Sequence, residues 1–195
     1  MNKTERREVI IDCAKELFLQ KGYHSTTVTD VIEKARIARS TFYAHFTSKN
    51  DIFFLLVDRF AAILRDAILG INISRAEKGN ELTGQIRGMT VGLVEAFDAN
   101  RDLTQLLITA PQGIDNLFDE KIEEFYATIL RAIRQLLEEG IREGNIKPLN
   151  PSIIAYCILG STKQILLQWI LYREIEDIYA ELNDIIQYHL FGISS

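Results

Sequence analysis

Two cysteines, three prolines and three histidines are all that the 195 residues supply of the types that commonly form disulfides, chain breaks and metal centres. Cys13 and Cys157 sit inside apolar helical patterns and far from any CxxC or Cys/His spacing. That excludes a disulfide framework or a zinc site and leaves buried, reduced thiols as the expectation. His24, His45 and His189 are dispersed, and no nucleophile elbow, metal-ligand spacing or phosphate-binding glycine loop accompanies them. The sequence therefore assigns no catalytic residue, no metal and no cofactor. Uninterrupted apolar runs fall well short of the roughly 20 residues of a membrane span, and the chain opens on the charged MNKTERRE rather than a signal peptide. A cytoplasmic protein without membrane contact is expected. Sustained period-two alternation is missing as well, which excludes a strand-built fold.

What is present is the composition of an ordinary globular protein, 47% hydrophobic and 25% charged, so disorder is not expected. The net charge of −5 hides an asymmetry: residues 1–50 hold nine Lys/Arg against six Asp/Glu, and the remainder holds thirteen against twenty-one. An acidic body with a mildly basic head is compatible with a local nucleic-acid contact, and it argues against indiscriminate coating of DNA.

Apolar residues recur with the helical period from end to end, which predicts an all-α protein of about nine helices. Ile10, Cys13, Ala14, Leu17 and Phe18 make the first apolar face, stopped at Gly22. Thr27 to Asp30 reads as a capping box before a short helix with Val28, Val31, Ile32 and Ala35 on one face. A brief link at Arg36-Ile37 leads into the segment ARSTFYAHFTSK, residues 38–49. Helices then lengthen, which divides the chain into a head of residues 1–47 and a body of residues 48–195.

Helix, short helix, tight turn, helix has the dimensions of a helix-turn-helix, whose second helix lies in the DNA major groove. Phe42 and Phe46, four apart, turn inward together. Arg39, Ser40, Thr41, Tyr43 and His45 are left outward, as side chains able to meet base edges and phosphates. Lys49 and Thr27, at the starts of the flanking helices, are further candidate phosphate contacts.

The segment AKELFLQKGYHSTTVTDVIEKARIARSTFYAHFTSKNDIF resembles the DNA-binding signature of the tetracycline-repressor (TetR) family over about forty residues. The resemblance rests on Gly22-Tyr23, Thr26-Thr27, Thr41-Phe42-Tyr43 and Phe46-x-Ser48-Lys49. It implies a homodimer that binds a palindromic operator with its N-terminal helices and holds a small-molecule inducer in its C-terminal domain. Two departures stand out: Arg36 occupies a turn where glycine or asparagine is frequent, and Ala38 replaces a capping serine.

In the body, Gly84, Gly88 and Gly92 share one helical face, which predicts a close backbone approach as compensation for their helix penalty. Phe54, Met89, Phe97, Phe125, Tyr126, Tyr156 and Trp169 lie at core spacings, and some of them must line any cavity. Thr90, Lys163, Gln164 and Gln168 interrupt apolar faces as polar groups able to orient a ligand. The expected ligand is mainly apolar or aromatic, with one anionic or polar group met by Lys163 or a glutamine. The last two helices carry more apolar surface than one protomer should consume, which predicts a dimer interface using Ile165, Ile178, Leu182, Ile185 and Ile186. A ligand-responsive regulator, a repressor released by its inducer, is the function this supports. A helical small-molecule enzyme and a protein-interaction scaffold are the alternatives.

Overall fold

The computed structural model describes residues 2–71, 80–109, 116–179 and 181. Among them are eight α-helices: α1 (Lys3–Lys21), α2 (Val28–Ala35), α3 (Arg39–Tyr43), α4 (Lys49–Leu69), α5 (Asn80–Ala99), α6 (Arg101–Thr109), α7 (Asn116–Arg142) and α8 (Pro151–Leu167). No strand occurs among the described residues.

Local chemistry sets the helix starts. Asn2 and Glu5 form a capping box for α1, Thr27 and Asp30 form one for α2, and Ser48 accepts from the Asp51 amide at the start of α4. Asn150 caps α8, with Pro151 in its first turn. The two departures in the head have structural consequences. Arg36 takes the left-handed conformation at φ 52°, and Ala38 gives α3 no side-chain cap.

Helices α4 and α7 are long neighbours that run parallel. Phe53 stacks on Phe118 at 4.9 Å between ring centroids, and seven residues further along each helix Phe60 stacks on Phe125 at 6.0 Å. Seven residues are close to two helical turns, so the same faces meet again. Helix α5 and the short α6 make the return between them. The loop after α7 brings Ile146 against Gly140, where an added Cβ would lie 2.5 Å from Ile146 Cδ1, and α8 then runs back along α7. One core cluster extends without interruption from Ile10 through Phe53 and Phe118 to Ala155, and a smaller one gathers Val94, Leu166, Trp169, Ile170 and Ile178.

Several expectations are corrected. Gly84, Gly88 and Gly92 have no heavy atom of the described residues within 4 Å of where a Cβ would stand, so no described backbone approaches that face. Cys13 is half-buried, because Ile11 takes the inward position beside Ile10, and Cys157 is exposed. Ile178, expected at a dimer interface, is 3% exposed and packs in the protomer's own second cluster. Leu182, Ile185 and Ile186 lie outside the described residues.

The stretch Pro151–Tyr172 has the length and composition of a membrane span, and it ends in a π-helical turn at Gln168–Tyr172. Little of it is buried. Ile153, Tyr156, Cys157, Gly160 and Gln164 fall on one exposed face at helical spacing.

Phe118 touches Tyr23, His24 and Phe53 at once, so Phe118→Ala should lower unfolding free energy by about 3–5 kcal/mol in urea titration. Leu117→Ala, at a position 53% exposed, should stay within about 0.5 kcal/mol of the parent. Equal effects would contradict the packing described.

Candidate nucleic-acid interface and the cavity behind it

Helix α3 is held by its inner edge. Phe42 is fully buried and Phe46, just past the helix, is 4% exposed, with the Arg7 guanidinium 4.9 Å over its ring. The outer edge is left to Arg39 and Ser40, both exposed, and Tyr43, 46% exposed, while Thr41 and His45 are half-buried. The Arg39 guanidinium lies 5.7 Å from the Tyr43 ring, so a planar cation and a phenol share one outward patch. Arg39, Ser40 and Tyr43 lie outward as the sequence predicts, whereas Thr41 and His45, expected outward as well, are partly covered. Arg36, noted in the sequence only as a misfit in the turn, joins them on the exposed side without an ion pair among the described residues. Its signal was present: a non-glycine residue kept in a left-handed turn implies a use for its side chain.

Thr27 and Lys49 have other duties. The Thr27 hydroxyl accepts from the Asp30 amide at 3.2 Å and donates to the Asp30 carboxylate at 2.7 Å, so the capping box engages both its donor and its acceptor. Hydrogen bonds from Lys21 and then from Thr27 hold Asp30 well below the usual carboxylate range. That charge makes the start of α2 a poor place for a phosphate. The Lys49 ammonium donates to the carbonyls of Tyr23 (2.8 Å), Thr26 (2.9 Å) and His24 (3.2 Å) and sits 4.5 Å over the Tyr23 ring. Three donors meet three carbonyls of the turn after α1, so Lys49 ties that turn to α4 rather than presenting its charge outward. The Tyr23 hydroxyl reinforces the tie by donating to Asn50 Oδ1 at 2.7 Å.

Behind the head, between α4 and α7, lies a cavity of about 240 Å³ closed by α5, α6 and α8. Phe60, Leu64 and Ile68 line it from α4, Met89, Thr90 and Phe97 from α5, and Phe125, Tyr126 and Ile129 from α7. Its polar groups are mostly satisfied internally. Thr90 donates to the Ile86 carbonyl at 2.8 Å, Thr104 to Asn100 at 3.0 Å, and Tyr126 to Leu107 at 3.1 Å. Burial pushes the Tyr126 phenol above its ordinary pKa, which keeps it a neutral donor.

Of the predicted ligand residues, Met89, Thr90, Phe97, Phe125 and Tyr126 line this cavity, together with Lys163. Phe54, Tyr156, Gln164, Gln168 and Trp169 do not. Phe54 faces Lys121, Tyr156 and Gln164 are exposed on α8, and Trp169 packs under Arg101, whose guanidinium is 4.7 Å from its ring. Gln168 Oε1 is buried without a partner among the described residues and is not part of the cavity wall. Ile165 and Ile178, predicted for an interface, are on the cavity wall.

Comparison with known proteins gives the following. Residues 10–56 match the family model of bacterial regulatory proteins, tetR family, and residues 83–190 match a tetracyclin repressor-like C-terminal domain. The fatty acid metabolism regulator protein of Bacillus subtilis is 26% identical over 187 residues, which is 94% of this chain and 93% of that protein. A TetR-family transcriptional regulator from Syntrophomonas wolfei superposes with a TM-score of 0.81 at 26% identity, covering 96% of this chain and 94% of that one. The transcriptional regulator FadR from Bacillus subtilis in complex with stearoyl-CoA superposes with a TM-score of 0.78 at 21% identity, covering 95% and 98%.

The placement of Lys49 separates two roles by experiment. Lys49→Met should cost about 1–3 kcal/mol of stability by leaving carbonyls without their donor. It should leave the salt dependence of DNA binding unchanged, because no counterion release is lost. A salt slope lowered by about one with unchanged stability would instead make Lys49 a phosphate contact.

Proposed function

The chain belongs to the TetR family of bacterial transcriptional regulators, and from that premise we propose that it is a ligand-responsive repressor. In this reading it binds a palindromic operator as a homodimer and is released by a small, mainly apolar or aromatic molecule. The family and its relatives are transcriptional regulators and not enzymes. The observation that carries the proposal is the position of the cavity. It lies between α4, which begins at the head, and α7, whose Phe118 packs on Tyr23 and His24 of the head.

The operator is read by α3. Arg39 pairs with a base edge, Ser40 and Thr41 serve bases or phosphates, and Tyr43 and His45 reach phosphates, with Arg36 as an added cation. The head, residues 1–47, works in the cytoplasm on double-stranded DNA. The body, residues 48–195, holds the effector and the second copy. The exposed face of α8, with Ile153, Tyr156, Cys157 and Gln164, supports pairing with its symmetry mate, and the stripe of Leu182, Ile185 and Ile186 in the sequence supports a second helix in the same interface. Two hairpins make a four-helix bundle, which sets two recognition helices about 34–36 Å apart.

Release needs a ligand that favours a spacing unfit for DNA. A molecule wedged between α4 and α7 displaces the Phe60–Phe125 stack and with it the start of α4. A coupling of about 1–3 kcal/mol lowers operator affinity roughly 5–150-fold. Two relatives support an apolar effector, since one is a fatty acid metabolism regulator and another is seen with stearoyl-CoA.

Selection from random DNA, followed by titration, should yield an operator for which Arg39→Ala costs about 1–3 kcal/mol and relaxes preference at one base pair. Failure to enrich any sequence would refute the DNA-binding reading. In light scattering at micromolar concentration the parent should be a dimer, and Tyr156→Glu should be a monomer that has lost operator binding. A Tyr156→Glu variant that remains dimeric would remove the α8 face from the interface.

A further inference from the structure

The described residues of the cavity wall are hydrocarbon except for a few hydroxyls, one amide and a single charge. Among them Lys163 carries that charge, and none is an aspartate or glutamate. Its Nζ lies 5.2 Å from the centroid of the Tyr126 ring, and no carboxylate of the described residues pairs with it. A ring face attracts a cation without neutralising it. An ammonium beside a space of low polarity therefore lacks the counter-charge that would offset its desolvation, and it discriminates against cationic ligands.

The shape of the cavity supplies the rest. Lining residues run along α7 from Tyr126 to Leu137 and along α4 from Phe60 to Ile68, with Ile71 just past its end. Eleven residues of helix correspond to roughly 16 Å. Lys163 is at the Tyr126 end, nearest the head, and Leu136, Leu137 and Ile146 line the other end, with the polar but uncharged Asn145 beside them. The site is thus long, narrow in polarity and charged at one end.

We propose that Lys163 is an anion-binding residue and that the effector is a monoanionic amphiphile, a long-chain carboxylic acid. Its carboxylate lies at Lys163, at the Tyr126 end of the cavity, and its hydrocarbon extends toward Leu137 and Ile146. This rests on the reading of the cavity as the effector site and narrows it. A coenzyme A thioester has no free carboxylate at the end of its chain and carries several phosphate charges, whereas the described residues offer this cavity one cation. The chain therefore selects the free acid over the thioester.

The test is calorimetric titration of the intact protein with dodecanoate, dodecanol, dodecyltrimethylammonium and lauroyl-CoA, each below its micellar concentration. Dodecanoate should bind at least tenfold more tightly than dodecanol or lauroyl-CoA, and each methylene added from the eight- to the twelve-carbon acid should tighten binding about fourfold. In Lys163→Met, with an unchanged melting temperature for the ligand-free protein, the advantage of the acid over the alcohol should vanish. Lys163→Arg should keep it, and Lys163→Glu should prefer the ammonium. Equal binding of acid and alcohol by the parent, an advantage that survives in Lys163→Met, or tighter binding of the thioester would overturn the proposal. Operator binding measured with the same ligands separates this inference from the function it rests on. Release of DNA by dodecanol as readily as by dodecanoate overturns the anion site and leaves the switch. Lys163-dependent binding of dodecanoate that leaves operator affinity unchanged overturns the switch and leaves the site.

Discussion

The parallel stacking of α4 on α7 is the constraint from which the rest of the molecule follows. Phe53 on Phe118 and Phe60 on Phe125 fix both register and direction, since only helices running the same way can repeat a pairing with equal steps on both. Parallel neighbours cannot be joined by a tight turn. The chain has to return to the starting end, and α5 and α6 make that return. They pass over the groove beyond Phe60 and Phe125 without filling it, and the cavity is the space that remains. A partly open apolar cavity is thus a product of topology.

The same stack reaches the head. Tyr23, Phe53 and Phe118 form a continuous aromatic group with Phe18 and His24 at its margin, so the head shares a core with the body. Polar links run alongside. Arg59 holds Glu8 with two bonds of 2.9 Å, joining α4 to α1, and Lys121 joins α7 to Asp58 of α4. Partial burial alone would lower the Lys121 pKa, but its bonds to Asp58 and Glu124 outweigh it and the net shift is upward, so the ammonium stays charged. Such partly exposed pairs contribute little stability individually. Their value here is directional, because they force α1, α4 and α7 to move together.

Much of the architecture was legible because its determinants are local. The Thr27–Asp30 box, the Ser48 and Asn150 caps and the inward Phe42–Phe46 pair are all encoded within four residues. The outward set on α3 was readable for the same reason. Lys49 was not, because its carbonyl partners are 23 to 26 residues away in sequence and any exposed lysine in a DNA-binding motif looks like a phosphate contact. Cavity residues were read in part. Periodicity finds the inward face of α5 and α7, which gave Met89, Phe97 and Phe125, but it cannot say which side of the apolar helix α8 meets the cavity. Tyr156 and Gln164 proved to be on the exposed side and Lys163 and Ile165 on the cavity side. The run of Gly84, Gly88 and Gly92 finds no partner among the described residues, and the structure offers no physical account of it.

The central claim is that occupancy of the space between α4 and α7 sets the separation of two recognition helices. It is tested most directly by a spin-label distance between Ala44→Cys positions of the two subunits, with Cys13 and Cys157 replaced by serine, since Ala44 is exposed at the end of α3. Bound to operator, the pair should give a single distance that reflects helix centres about 34–36 Å apart. Addition of an effector that fills the cavity should move that distribution by several ångströms and abolish DNA binding together. A distance that stays the same while DNA is released would contradict the account.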